Sequence, residues 1–113
     1  GLIFVGAGYI GVELAQMMRR MGVKVTLVTR SHLLPGAEPE VSQALTDAFN
    51  AEGITLLTGL RYDSVRRDAA GVTLRIMQGG EPVEVTADHL VSTAGRRANT
   101  GGLGCPVSMR RAT

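Results

Sequence analysis

The stretch Leu2-Ile3-Phe4-Val5-Gly6-Ala7-Gly8-Tyr9-Ile10-Gly11 decides how this chain is read. Four apolar residues run without interruption into a glycine, the pattern of a short parallel strand buried on both faces. Then comes G-x-G-x-x-G, after which Ile10, Leu14, Met17, Met18 and Met21 recur at helical spacing until Gly22, placed as a left-handed cap. In a chain with 15 glycines the spacing alone is weak, and a ligand-free turn would explain it. Between an apolar strand and an amphipathic helix, each glycine has its own task. Gly6 permits the sharp turn off the strand, Gly8 lets a pyrophosphate approach the backbone, and Gly11 lets the helix pack close to the sheet. The phosphates would meet the unpaired N–H groups around Tyr9, Ile10 and Gly11 and the positive end of the helix dipole.

Working outward, residues 23–28 form a second apolar strand, and residues 31–38, with Pro35 and Gly36, form a loop. Pro39 suits the first turn of another helix. There Val41, Ala44, Leu45, Ala48 and Glu52 share a stripe that Gly53 closes, and residues 54–57 make a third strand. Helical crossovers between short apolar strands in β-α-β-α-β order predict a parallel sheet. Residues 62–67, 72–78 and 83–86 instead alternate polar with apolar, separated by Ala69-Ala70-Gly71 and Gly79-Gly80-Glu81-Pro82, an antiparallel meander with one wet face. Residues 90–93 return as an apolar strand before Ala94-Gly95. The expected fold class is α/β: a Rossmann-like dinucleotide-binding domain over residues 1–103, with a three-stranded antiparallel meander added to the parallel sheet. Residues 104–113 are a tail.

Composition supports one soluble domain with an aliphatic core: 113 residues, 44% hydrophobic, 4% aromatic and no Trp. Twelve basic against ten acidic residues leave a charge of +2, too mild for a nucleic-acid partner. No apolar run approaches the roughly 20 residues of a membrane span. The lone Cys105 cannot form an internal disulfide or a metal cluster, so no metal site is expected, and the chain reads as cytoplasmic. The abrupt opening inside a strand reads as an internal boundary of a longer protein.

The end of the second strand chooses the cofactor. An NAD site usually carries Asp or Glu about 20 residues after the glycine loop, accepting from the ribose 2′-OH. Here that place is Thr29, followed by Arg30, and nothing acidic occurs between Glu13 and Glu38. A guanidinium would bind a 2′-phosphate that a carboxylate would repel. Thr29 and Arg30 therefore favour NADP(H) over NAD(H), with His32 in the adjoining loop.

GAGYIGVELA, KVTLV, EGI and the closing STAGRRANT together resemble the pyridine nucleotide-disulfide oxidoreductases, over about residues 2 to 103. The family includes mercuric reductase, dihydrolipoamide dehydrogenase and glutathione reductase, and the Thr29-Arg30 strand end looks most like the first. The resemblance implies an insert between a FAD domain and a dimerisation domain of a homodimeric flavoprotein, with FAD bound outside this segment. It implies a catalytic-site role for two residues. Tyr9 matches the aromatic that gates the flavin face. Glu13 matches the acid near the nicotinamide carboxamide, paired with a lysine of the FAD domain. A carboxylate in the first helical turn is favourable in any case. Gly95 matches the glycine of the closing motif, whose backbone approaches the cofactor. Three departures stand out: Ala98 replaces the usual Pro, no second 2′-phosphate arginine occurs near Pro35 or Gly36, and the sequence after Leu103 does not resemble the family's continuation.

Two functions of different class follow. One is an electron-entry module that holds NAD(P)H for hydride transfer to FAD; the segment lacks a second glycine fingerprint and a cysteine pair, so alone it should be inactive. The other is a non-catalytic dinucleotide sensor, which would have no need of the closing A-G-R-R-A-N motif. A FAD-binding half of the same family is disfavoured by Thr29, where that half usually carries Glu.

Overall fold

The computed structural model describes residues 1–96 and 98–104. Expectations that fall on Arg97, Cys105 and the rest of the tail lie outside the described residues. Four parallel strands form the central sheet: β1 (Leu2–Val5), β2 (Val25–Val28), β3 (Thr55–Leu57) and β7 (His89–Ser92), in the order β3-β2-β1-β7. Helices α1 (Tyr9–Arg20) and α2 (Pro39–Ala51) connect the first three strands. Strands β4 (Arg61–Asp68), β5 (Gly71–Gln78) and β6 (Glu81–Ala87) form the antiparallel meander, in the order β4-β5-β6. This is the expected α/β architecture. The second strand begins at Val25 and the third at Thr55, each slightly later than the sequence indicates.

Three layers result. On one face of the parallel sheet, Phe4, Val25 and Leu27 pack with Val12 and Ala15 of α1, Phe49 of α2 and Leu33 of the intervening loop. On the other, Ile3 and Val28 meet Leu60, Leu74 and Ile76, so the meander roofs the sheet. Burial on both faces explains why LIFV and VTLV lack polar alternation. The meander's alternation breaks at Thr73, which is buried between Val72 and Leu74 and shares a hydroxyl hydrogen bond with Thr86 at 3.1 Å.

Both helices turn a different arc inward from the one their apolar periodicity indicates. In α1 the buried residues are Gly11, Val12 and Ala15, with Met18 packed beside them. Leu14, Met17 and Met21 face outward, Met21 being 72% exposed. Gly11, Val12 and Ala15 take the closest approach because a crossover helix lies tight on the sheet, and the longer Met18 is only partly buried against the same cluster. In α2 the inner stripe is Ser42, Leu45 and Phe49, while Val41, Ala44 and Ala48 are exposed. Ser42 tolerates burial because its hydroxyl donates to the Leu33 carbonyl at 2.5 Å. Glu52, assigned by periodicity to that stripe, caps α2 instead. Its carboxylate accepts from Arg20 Nη2 at 2.6 Å and Gln16 Nε2 at 3.1 Å, and its carbonyl accepts from Arg19 Nε at 2.8 Å. These bonds tie the C-terminal ends of the two helices together and hold the Glu52 carboxyl below the usual range, Arg20 being the main cause.

Candidate functional site

All parallel strands point the same way, so their carboxyl ends share one edge of the sheet. The strand order reverses direction between β1 and β7, and at such a switch point the loops leave a crevice. Three segments converge there: the glycine loop after β1, Thr29-Arg30-Ser31 after β2, and Thr93-Ala94-Gly95 after β7.

The three glycines have three distinct environments. Gly6 has φ 102°, a left-handed conformation costly for any other residue, and a Cβ there would lie 2.6 Å from the Thr93 carbonyl oxygen. A Cβ on Gly11 would overlap the Gly6 carbonyl and lie 2.6 Å from Thr93 Oγ1, so the helix can start this close to the sheet only with glycine. Gly8 is the reverse. It is the N-cap of α1 with ordinary extended backbone (φ −72°, ψ −177°), and a Cβ would meet nothing within 4 Å. The space a Gly8 side chain would fill stays open in front of a helix N-terminus that no side chain caps. The residues therefore fit an anionic group at that place, held by the first N–H groups of α1.

Two residues that sequence reasoning missed hold this loop. Thr93 donates its hydroxyl to the Gly6 carbonyl at 2.9 Å or the Val5 carbonyl at 3.1 Å, and its N–H donates to Val5 O at 2.8 Å. A hydroxyl residue closing an apolar strand just before Ala94-Gly95 was the available signal. Leu34 takes φ 49°, rare for a non-glycine residue, and its N–H donates to the Ala7 carbonyl at 2.8 Å. No sequence signal marks it.

Beside the glycine loop lies a cleft of about 180 Å³ lined by Gly6, Ala7, Thr29, Arg30, Ser31 and Tyr62, with no carboxylate among its walls. Thr29 is buried, its N–H bonded to the Leu57 carbonyl at 2.9 Å, whereas Arg30 is exposed. The Arg30 guanidinium sits over the Tyr62 ring, 6.0 Å from its centre. Burial pushes the Tyr62 hydroxyl up from its ordinary value, against the opposing charge of Arg30. Tyr62, too, escaped the sequence reading, although it is the one aromatic in the three meander segments. A larger pocket of about 290 Å³ opens at Gly1, Lys24 and Asp88, at the amino ends of the strands, where doubly wound sheets do not bind their ligands.

The other predicted positions lie around the rim. Tyr9 starts α1 and is 66% exposed. Ile10 is half-buried in the same turn. Glu13 is not in the first turn, which contains no acidic residue; it lies one turn further along, exposed, on the same face as Tyr9. A favourable contact with the first-turn N–H groups therefore does not account for a carboxylate at this position. Gly95 does not line the Arg30 cleft; it has φ 140°, and a Cβ there would meet nothing within 4 Å, leaving its backbone open. His32 is exposed in the loop. Among the described residues no cluster of His, Cys, Asp and Glu could hold a metal ion, and no helix is long and apolar enough to cross a membrane.

The family model described as pyridine nucleotide-disulphide oxidoreductase matches residues 1–112. The chain belongs to this family. Family members with similar sequence include mercuric reductase of Streptomyces lividans, 41% identical over 103 residues, covering 91% of this chain and 22% of that protein. Dihydrolipoyl dehydrogenase of Thermus scotoductus is 35% identical over 107 residues, covering 91% and 23%. The chain therefore spans less than a quarter of the length of these relatives. Among solved structures, an engineered water-forming NADPH oxidase bound to NADPH superposes with a TM-score of 0.79 at 25% identity, over 88% of this chain and 22% of that one. It is a mutant of the water-forming NADH oxidase of Lactobacillus brevis, whose own NADH-bound structure superposes with a TM-score of 0.78 at 26% identity, over 88% and 22%.

Proposed function

We propose that this segment is the NAD(P)H-binding domain, residues 1–103, of a FAD-dependent disulfide oxidoreductase most like mercuric reductase, and that it prefers NADPH. The observation that carries the preference is Arg30 on a cleft with no carboxylate, beside the glycine loop. The pyrophosphate would rest against the N–H groups at the start of α1, in the space left open by Gly8. The adenosine ribose would then reach Thr29 and Arg30 at the end of β2. Thr29 offers no charged acceptor to a 2′-OH, and Arg30 offers donors to a 2′-phosphate. Tyr9 and Glu13, together on the exposed rim of α1, would border the nicotinamide. Bound NADPH supplies a hydride, and the acceptor is a flavin held outside this segment. The FAD and dimerisation domains would belong to the same polypeptide, assembled as a homodimer.

The substitutions in the engineered NADPH oxidase support the same reading. Three consecutive replacements there put Ala-Arg-Ser where the NADH oxidase has Asp-Ala-Met, and a glycine 18 residues before the aspartate is also replaced. Counting from Gly11, the same spacing of 18 falls on Thr29-Arg30-Ser31. This chain naturally lacks the aspartate and carries the Arg-Ser pair. The fifth replacement, Pro to Arg, corresponds by the same count to Gly36, so one arginine is absent here. Gly11 also keeps the glycine that the engineered enzyme gives up.

With one arginine at an open site, the lower half of the roughly 1.5–3 kcal/mol of a charged hydrogen bond applies, giving about a tenfold preference for NADPH. Calorimetry with NADP⁺ and NAD⁺ at two ionic strengths tests it. The preference should shrink as salt rises, and Arg30→Ala should weaken NADP⁺ while leaving NAD⁺ nearly unchanged. Equal affinities at low salt would refute the preference. A mercuric-reductase-like parent is favoured over a dihydrolipoamide dehydrogenase by the Thr29-Arg30 strand end and by a narrow margin of identity, 41% for one mercuric reductase against 37% for a dihydrolipoyl dehydrogenase.

A further inference from the structure

Arg30 has a flexible side chain on an exposed strand end, and nothing in its own strand fixes where its charge sits. The aromatic ring that faces it comes from the meander. Tyr62, near the start of β4, lies across the sheet from the ends of β1 and β2 and packs against the layer formed by Ile3, Val28, Leu60, Leu74 and Ile76. Its hydroxyl reaches the Val28 carbonyl by a long bond of 3.4 Å, one residue before Thr29. Its ring lies under the Arg30 guanidinium at 6.0 Å, the outer limit of a favourable cation–π arrangement.

The backbone around Tyr62 is also irregular in a way that bears on its direction. Tyr62 pairs with Ile76 and Ser64 with Arg75, leaving Asp63 as an extra residue in a bulge. A bulge bends the strand and re-aims the neighbouring side chain. Asp63 is held outward by Arg75 Nε at 3.3 Å, while Tyr62 turns inward to the cleft that Arg30 borders.

We infer that Tyr62 is a positioning residue for nucleotide choice: its ring holds the Arg30 guanidinium at the mouth of the cleft beside Thr29, where a ribose 2′-phosphate would be bound. The inference deepens the NADPH reading and rests on it. It also assigns the meander a part in specificity as well as in covering the sheet.

The test uses the complete protein and the oxidised nucleotides NADP⁺ and NAD⁺, which bind without turnover. Tyr62→Leu removes the ring but keeps an apolar side chain against the core, Tyr62→Ile does so with a residue suited to a strand, and Tyr62→Phe keeps the ring and removes only the long hydroxyl bond. Thermal melting establishes which variants are folded. An exposed cation–π contact corresponds to about a two- to fivefold effect. Tyr62→Leu or Tyr62→Ile should therefore weaken NADP⁺ by about two- to fivefold and leave NAD⁺ unchanged, and Tyr62→Phe should retain the wild-type ratio. Added to Arg30→Ala, Tyr62→Leu should cause no further loss of NADP⁺ affinity. If Arg30→Ala lowers NADP⁺ affinity but the folded Tyr62→Leu and Tyr62→Ile variants do not, the inference fails and the NADPH reading stands. An equal loss of both nucleotides would make Tyr62 a structural residue and overturn the inference. If Arg30→Ala itself leaves the ratio unchanged, the cofactor reading fails and takes this one with it.

Discussion

Replacing Gly8 by valine should separate nucleotide binding from folding. The Gly8 backbone is extended, and a side chain there would meet no atom within 4 Å, so the folded state accepts one without collision. Valine is a poorer N-cap than glycine, costing on the order of 0.5–1 kcal/mol. The lost freedom of the unfolded chain returns about 0.4–1 kcal/mol, so stability should barely change. Binding is different, because the branched side chain occupies the space in front of the α1 N–H groups. Loss of one charged hydrogen bond of about 1.5–3 kcal/mol implies a tenfold to hundredfold weaker complex. Gly11→Ala is the counterpart, since its Cβ must displace the Gly6 carbonyl or Thr93. Overpacking of that kind costs about 1–3 kcal/mol and should appear first in urea unfolding. Calorimetric titration with NADP⁺, with circular dichroism on the same samples, reads both effects. A folded Gly8→Val protein with wild-type affinity would refute the assignment of the loop.

Tyr9→Ala should change stability by less than about 0.5 kcal/mol, as for an exposed side chain, yet alter flavin reduction in rapid-mixing experiments on the complete enzyme; a large fall in melting temperature with unchanged kinetics would make Tyr9 a packing residue. Thr93→Val should cost about 0.5–1.5 kcal/mol, the net worth of the hydroxyl bond to the strand-end carbonyls, measured as a shift in urea midpoint. Glu52→Gln should lower that midpoint at neutral pH. Because the folded carboxyl is held below its ordinary value, its stabilisation is present above that value and is lost as pH falls through the depressed one. The difference between Glu52→Gln and wild type should therefore vanish in acid; a constant difference across pH would assign the effect to packing.

The order of elements was legible because the glycine loop lies between two unambiguous patterns and the turns carry their own residues. The inward faces of the helices were not. Leu14 and Met17 of α1, and Met21 at its C-cap, turn outward and Met18 is only partly buried, while Gly11, Val12 and Ala15 take the sheet. Periodicity weighs hydrophobicity, whereas a crossover helix is selected by how closely it can approach. That Thr29 and Arg30 would lie beside the glycine loop was readable because they stand at a fixed distance along the chain from it. Tyr62 and Thr93 were not, because they reach Arg30 and Gly6 only through tertiary packing, across 32 and 87 positions of sequence. Glu52 was misread for a related reason, since its partners Gln16, Arg19 and Arg20 all lie on the other helix.

On the proposed function, the crevice at the carboxyl ends of the strands receives a reduced nicotinamide nucleotide for a flavin in the same protein. Anaerobic mixing of the complete protein with NADPH, followed through the flavin absorbance, addresses it most directly. The flavin should bleach at a rate that saturates with nucleotide, half-saturating at a lower concentration of NADPH than of NADH, and Gly8→Val should raise the NADPH value by at least about tenfold. A flavin that neither nucleotide reduces, or a half-saturation unmoved by Gly8→Val, would contradict it.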